Sequence, residues 1–593
     1  MLISREIKST ISEVCLKHFQ QEVTNPNLEL YKGEKFGHFS SSIAYELAKK
    51  VGKNPHNLAD ILIEEIIKNS NLDFEKIENV NGFINFYLSN NFLTSFLEKE
   101  IDQNTLGKGN LFENKKVLVE YTDPNPFKLF HIGHFMTNAL GESSSRLIKN
   151  QGATVVNICY QGDVGIHIAK TILGLLHFIK EDRYTLEDFL NLNNEKTIKE
   201  LGEAYVWGSK AYLEKEEEKV KIQDLNNLIF KISQKLALEN NVELANEYLD
   251  SKSFDYDTIE KIYDKGRKES LDYFEKIYYK LGTKFQDYSF ESTTGEIGSK
   301  IVKESPLFKE SEGAVIWNGK NYENHNIQVL INRFGIPTYG AKEIGLNLLK
   351  KQKYNPDLSL IFTAREQEFY FKDLIEIFKQ LGLSQQTIHL PHGELRLKTG
   401  KMSSRTGDVI TLDEVISQIK DHIVINFSSK KDQKFLEGIS EKIAISALKY
   451  LILKNSIGSN IIYEPEKIVD LNGNTGTYLQ YTYARCKSVL KKAGAFDFDT
   501  TNQQVFNTQE REILIKSSMF NEVTFQATKD LSPSTLATYL YDIAKSFNSF
   551  YNDNKILDDN TEVKDLRLFL TLITSEILEK GLFLLGMEPL EEL

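Results

Sequence analysis

Cysteine is scarce in this chain, with three in 593 residues. Cys15, Cys159 and Cys486 stand alone, without paired Cys or Cys/His spacing, which excludes a disulfide framework and a zinc ribbon and suits a reducing, cytoplasmic setting. Long apolar runs are missing too, so no segment reads as a membrane span. The N-terminal stretch Met1 to Lys8 mixes an acid with bases and reads as an amphipathic helix, not as a signal or transit peptide. Positive charge is not in excess. With Lys+Arg 72 against Asp+Glu 84 the formal net charge is −12, which excludes a chain coated in basic residues but leaves room for a local basic face. What remains, 41% apolar and 26% charged, is the composition of an ordinary soluble globular protein. Its length suits roughly three to five domains.

The chain is organised around one stretch. Val117 to Tyr121 is a short apolar, β-branched run that breaks at Pro124 and Pro126. Behind it, Ile132, Phe135, Met136, Ala139, Leu140, Leu147 and Ile148 fall at helical spacing. Gly152 marks the end of that helix, and Ala153 to Tyr160 reads as a second strand. The unit is half of a nucleotide-binding sheet, with its loop at the carboxyl edge where ligands sit. His131 and His134 share one face of the first helical turn, where unpaired N–H groups and the helix dipole favour an anion. Two imidazole N–H donors there can hold a phosphate and the charge that builds on it during displacement. Gly133, without a side chain, leaves room for a flat base. The reading is an ATP site that has no Gly-rich loop; the alternative is a pair of surface or capping histidines.

Far downstream, Leu397 to Asp408 is polar, basic and flanked by glycines, hence a loop. Lys401 is its candidate point charge for a leaving pyrophosphate. The Gly400-Lys401 pair is not a phosphate-cradling P-loop, because Leu395 stands where that motif needs Gly and Met402 where it needs Ser or Thr.

These two stretches, His131-Ile132-Gly133-His134 and Lys401-Met402-Ser403-Ser404-Arg405, resemble the two signatures of class I aminoacyl-tRNA synthetases, with Arg405 where a lysine is usual. The string Thr475 to Arg485 is similar to the one that opens the anticodon-binding domain of arginyl-tRNA synthetases. Asn81 to Phe86 is similar to part of their extra N-terminal domain, Gly162-Asp163-Val164-Gly165 to the turn after their second strand, and Tyr539 to Tyr551 to their closing helical region. The resemblance implies an α/β fold: a Rossmann-like parallel-sheet catalytic domain, an N-terminal α/β domain and a C-terminal all-α anticodon-binding domain. The expected boundaries are 1–112, 113–440 with a helical insertion at about 180–285, and 441–593. The parallel sheet is expected to resume at Gly313 to Trp317 and Gln328 to Ile331 and to include Leu358 to Phe362, and the chain beyond about 440 to be helical throughout.

The resemblance also implies the reaction, attachment of arginine to its tRNA through an adenylate, with bound tRNA needed before activation. ATP with Mg2+ is then a substrate complex, L-arginine and tRNA(Arg) are the other partners, no membrane or structural metal is involved, and the chain is a monomer. It puts His131, His134, Lys401 and Lys128 in catalysis. Gly133, Met402, Ser403 and Ser404 join both histidines and Lys401 around ATP. Glu120, Asn125, Tyr339, Glu343, Asp163 and Gln367 surround arginine, with Glu343 where an Asp is more usual. Phe83, Asn85, Tyr481, Tyr483, Arg485 and Met587 face tRNA, while Phe547 and Phe550 belong to the core. The chemistry is apt: a planar, permanently charged guanidinium is best held bidentately by a carboxylate with an aromatic face alongside. A small-molecule nucleotidylyltransferase would share the His-x-Gly-His helix but would not need two RNA-binding additions.

Overall fold

Five parallel strands carry the His131 helix in a computed structural model that describes residues 2–30, 36–383, 385–397, 411–427, 432–496 and 505–593. Lys401 to Arg405 therefore lie outside the described residues. The strands are β1 (Lys116–Glu120), β2 (Thr154–Gln161), β3 (Asp287–Phe290), β4 (Leu358–Ala364) and β5 (Gln386–His392), in the spatial order β5-β4-β1-β2-β3. Val117, Leu118 and Val119 are fully buried, as expected of a central parallel strand covered on both faces. Helix α1 (Ile132–Asn150) connects β1 to β2, α2 (Tyr256–Leu281) leads into β3, α3 (Glu291–Glu304) follows β3, and α4 (Tyr339–Tyr354) precedes β4. The strand order reverses between β1 and β4, which opens a crevice at their carboxyl ends.

This sheet belongs to a unit made of Phe112–Lys149 and Ala153–Val469. The stretch expected as an insertion is helical, and its apolar faces form a core around Ile168, Leu225, Ile229 and Ile262. Two expectations are corrected. Gly313 to Trp317 and Gln328 to Ile331 do not continue the parallel sheet: Lys309–Ser311, Ala314–Asn318 and Ile327–Ile331 form a separate antiparallel sheet. For the first two the reason is local, because Glu312 and Gly313 both have positive φ (53° and 76°) and make a tight turn that only antiparallel strands can share. The chain past 440 is not helical throughout, since Ile461–Tyr463 pairs in parallel with Leu395–Leu397. Helix Gln433–Leu453 spans residues 440 and 441, and this compact unit ends at Val469.

The second unit comprises Met1–Leu111, Asn150–Gly152 and Asp470–Leu593. It contains an antiparallel sheet in the order Glu29–Leu30, Phe39–Ser41, Phe83–Leu88, Phe74–Val80. Asn81 and Gly82, with φ of 53° and 88°, form the two-residue turn that Asn-Gly favours between right-twisted strands. The helices Gly476–Ala493, Pro533–Asp553 and Thr561–Leu584 bury Phe547 and Phe550 completely, as expected. Within this unit Glu522 accepts both the N–H (2.9 Å) and the hydroxyl (2.6 Å) of Ser4. Among the described residues no helix is long and apolar enough to cross a membrane.

His38 tests the energetics of this second unit. It is 1% exposed, and its Nδ1 accepts the Leu88 N–H at 3.0 Å. Burial, and then the Arg511 charge, hold its imidazole down at about 4. A histidine held below its unfolded value costs stability progressively as pH falls from about 6.5 towards that folded value, roughly 2 kcal/mol by about pH 5. His38→Gln is expected to remove about that much from the stability difference between about pH 7 and pH 5, measured by urea unfolding at each pH.

Candidate active site

The loop between β1 and α1 is strained and firmly held. Thr122, Asp123 and Phe127 all have positive φ (80°, 42° and 68°), a region that costs a residue with a Cβ about 1–3 kcal/mol. Each is fixed from outside. Asn138 Nδ2 donates to Thr122 Oγ1 at 3.0 Å, the Tyr160 N–H donates to Asp123 Oδ1 at 2.7 Å, and the Phe127 N–H donates to Ser270 Oγ at 3.0 Å. The Phe127 ring stacks on Tyr263, and a Cβ at Gly266 would strike it.

His131 and His134 emerge from this loop as a stacked pair, with ring centroids 3.7 Å apart. The His131 N–H donates to His134 Nδ1 at 3.3 Å, and the Gly133 N–H donates to His131 Nδ1 at 3.1 Å. Because both Nδ1 atoms accept, each neutral ring carries its proton on Nε2 and can donate there. Burial, followed by the Lys128 charge, holds His131 down at about 4; burial, then His131 and Lys128, hold His134 well below the ordinary histidine value. Both are neutral donors near neutral pH. The space at Gly133 is taken up by the neighbouring ring, since a Cβ there would stand 2.9 Å from His131 Cε1. Lys128 lies 5.1 Å from the Tyr205 ring centroid. Thr411 bridges to His131, which brings the chain that follows the Lys401 segment to the site. Lys401, Met402, Ser403 and Ser404 themselves lie outside the described residues.

Beside the histidines the strand ends gather carboxylates. Glu120, last in β1, is 2% exposed and paired with Lys350. Glu343 on α4 is 9% exposed and forms no hydrogen bond or ion pair among the described residues; burial and then the Glu120 charge push its carboxyl well above the usual range. Glu291, first in α3, is paired with Lys342 at 2.5 Å. Asn125 packs so close to Gly162 that a Cβ there would strike its Oδ1, with Glu291 Oε1 at 3.3 Å from the same point. Tyr339 opens α4, its ring 5.3 Å from the Lys342 ammonium. Gln367 closes the short turn after β4 and is exposed. Sequence reading did not single out Glu291, Lys342 or Lys350. The available signal was α4 itself, because Lys342 adjoins Glu343 and Lys350 follows it by two helical turns.

Four expected contacts sit in the interior. Asp163 is fully buried and spent on scaffolding: it accepts from Arg267 Nε (3.0 Å), Ser292 Oγ (2.8 Å) and the Ser292 N–H (2.9 Å). Asn85 is 2% exposed and accepts the Ser40 hydroxyl, on the strand face it shares with Phe83 and at the floor of the same groove. Tyr483, also 2% exposed, donates its hydroxyl to Glu579 at 2.9 Å, and Met587 is buried. Of the other expected RNA contacts, Phe83 is exposed and Tyr481 and Arg485 are half-buried. Phe83 is 43% exposed on a groove of about 450 Å³ with Phe36 and Val80. The Arg485 guanidinium lies over the rings of Tyr481 (4.8 Å) and Tyr551 (4.5 Å) and hydrogen-bonds the Tyr481 hydroxyl.

A parallel sheet in this order, with a His-x-Gly-His helix at the carboxyl end of its first strand, is the catalytic architecture of class I aminoacyl-tRNA synthetases. The family model described as tRNA synthetases class I (R), catalytic domain, matches residues 97–464; the arginyl tRNA synthetase N terminal domain matches 1–88 and the DALR anticodon binding domain 479–593. The chain belongs to the arginyl-tRNA synthetase family. It is 29% identical over 560 residues to an arginine–tRNA ligase of Clostridium acetobutylicum, covering 93% of each chain. It is 27% identical to one of Clostridium botulinum, covering 99% of this chain and 100% of that one. Its fold matches the arginyl-tRNA synthetase of Thermus thermophilus with a TM-score of 0.77 at 21% identity, covering 100% of both chains. It also matches that of Plasmodium falciparum with a TM-score of 0.75 at 22% identity, covering 100% and 99%.

The Asp163 brace makes a prediction. Arg267→Met leaves the buried Asp163 carboxylate without its cation and is expected to destabilise the protein by about 3 kcal/mol or more. Adding Asp163→Asn should recover part of that loss. Calorimetric unfolding of the two variants beside the parent protein checks both outcomes.

Proposed function

We infer that this chain attaches L-arginine to the 3′-terminal ribose of its tRNA in two steps. In the first, an arginine carboxylate oxygen attacks the α-phosphorus of ATP in line; the new C–O–P bond forms as the bond to the β-phosphate bridge breaks and pyrophosphate leaves. In the second, a terminal ribose hydroxyl of the tRNA attacks the adenylate carbonyl, an ester forms and AMP departs. Mg2+ enters as part of the ATP substrate and screens its phosphate charge.

The single observation that carries the reading is the unpaired, buried Glu343 beside Glu120, whose strand runs into the loop that presents the stacked Nε2–H donors of His131 and His134. In it Glu343 and Glu120 hold the guanidinium, Tyr339 lies along it, and Asn125 and Glu291 take the α-amino end. The histidines hold phosphate oxygens by hydrogen bonds and do not shuttle protons. Lys128 and Lys401 supply positive charge, and the bridge between His131 and Thr411 supports Lys401 for this part because it lies only ten residues ahead of Thr411. Phe83 stacks on an unpaired base, and Tyr481 with Arg485 contact tRNA from the C-terminal helices. The protein acts as a monomer, and its three buried free cysteines suit the cytoplasm.

Charging of total tRNA by the purified protein, with ATP, magnesium and each labelled amino acid in turn, tests the reading. Arginine alone is expected to enter acid-precipitable tRNA. Incorporation of a different amino acid would overturn the assignment of Glu120 and Glu343. His134→Ala removes one phosphate donor and is expected to lower tRNA-dependent pyrophosphate exchange roughly 100-fold with the melting temperature little changed.

A further inference from the structure

Four carboxylates, Glu120, Asp123, Glu291 and Glu343, converge at the carboxyl ends of β1 to β3 with two lysines, Lys342 and Lys350. The lysines are committed to particular partners. Lys342 is paired with Glu291, and Lys350, 3% exposed on its side chain, is paired with Glu120 Oε2. No described side chain takes Glu120 Oε1, Glu343 has no partner among the described residues, and Asp123 is met by a single backbone N–H. Two carboxylates are therefore left unbalanced. Free L-arginine carries two cationic groups, the guanidinium and the α-ammonium.

We propose that Lys350 is a specificity-determining residue: as the fixed counter-ion of Glu120 it sets the unbalanced carboxylates of the crevice at two, equal in number to the cationic groups of arginine. The inference rests on the arginine reading above. Its physical basis is the cost of buried charge. An unpaired carboxylate in such a place takes up a proton when no cation is present, and an entering cation expels it. Burial first, then the Glu120 charge, raise both Glu343 and Asp123. The groups that face this pair are Glu120 and Lys350, with Glu291, Lys342 and the neutral hydroxyls of Tyr160 and Tyr370 beside Glu343, and the neutral Cys159 thiol and Tyr278 hydroxyl beside Asp123. Arginine binding thus releases protons, and affinity rises with pH through the range where these carboxyls titrate. Without Lys350, Glu120 joins the unbalanced set and holds a further proton that arginine has to expel.

The test uses the full-length protein. Calorimetric titration with arginine near pH 7, in buffers of different protonation enthalpy, counts the protons released; charging assays give the arginine KM against pH. The parent protein is expected to release about one proton or more per arginine. Lys350→Met is expected to raise the KM roughly tenfold near pH 7, with more protons released and with the loss shrinking as pH rises. Lys350→Arg, which keeps the charge, should return the pH dependence to that of the parent protein. An unchanged KM in Lys350→Met, or a loss equal at every pH, overturns the proposal. Should Lys350→Met lack a cooperative melting transition, the parent protein decides alone: release of about one proton upholds the unbalanced set, and none overturns it. A parent protein that charges another amino acid and not arginine would sink the substrate reading and the inference together, an outcome distinct from failure of the Lys350 variant.

Discussion

Taking a carboxylate out of water costs several kcal/mol even after relaxation, and this protein does so repeatedly around one crevice. Glu120, Glu291, Asp163 and Glu343 are all buried there. Such charges can be kept only where strands and helices deliver cations and N–H donors to fixed places. Lys350 and Lys342 come from one helix, Arg267 from another, and the Ser292 N–H from the first turn of a third, whose dipole also favours an acid. The order of the sheet follows from the same need, since it sets the ends of β1, β2 and β3 side by side. Moving any one of these elements would leave a buried charge without its partner, so the crevice and the fold constrain each other.

The same economy governs the backbone. Three residues with side chains sit in the left-handed region between Glu120 and His131, and hydrogen bonds from β2, α1 and α2 keep them there. Strain held by surrounding structure fixes a loop without leaving it free to relax, which suits a site whose donors must already point at developing charge. His131 and His134 continue the pattern. Each gives its Nδ1 to a backbone N–H, so the tautomer, and with it the direction of the remaining donor, is set by the main chain.

Much of this was legible in the sequence, because periodicity reports which face of an element is buried. The run Val117 to Val119, the helical spacing after Ile132 and the strand to Tyr160 lie where the pattern placed them. What periodicity does not report is the pairing partner. Ala314–Asn318 and Ile327–Ile331 are apolar runs like those of the main sheet, and nothing in their own pattern reveals that they close on each other, as Lys309–Ser311 closes on the first across the Glu312-Gly313 turn. Chemistry read from residue type alone had a similar limit. Asn85, Tyr483 and Met587, expected from the resemblance to face tRNA, are each 2% exposed, which residue type does not report. Lys350 carried no motif, because its importance comes entirely from Glu120, which lies 230 residues away in sequence.

Neutral histidines also limit how the proposed chemistry can be divided. A ring that donates one hydrogen bond offers a dipole, not a full charge, and so cannot by itself balance a triphosphate. The balancing charge has to come from elsewhere, from the Mg2+ that enters with ATP and from lysines, of which Lys128 is near enough to the pair to depress both imidazoles. That arrangement keeps the empty site from accumulating charge that nothing neutralises. An arriving phosphate reverses the field at the rings: it attracts the Nε2 protons and compensates Lys128 at once. The donors are therefore strongest when the anion is in place, which is the differential interaction that a displacement at phosphorus requires.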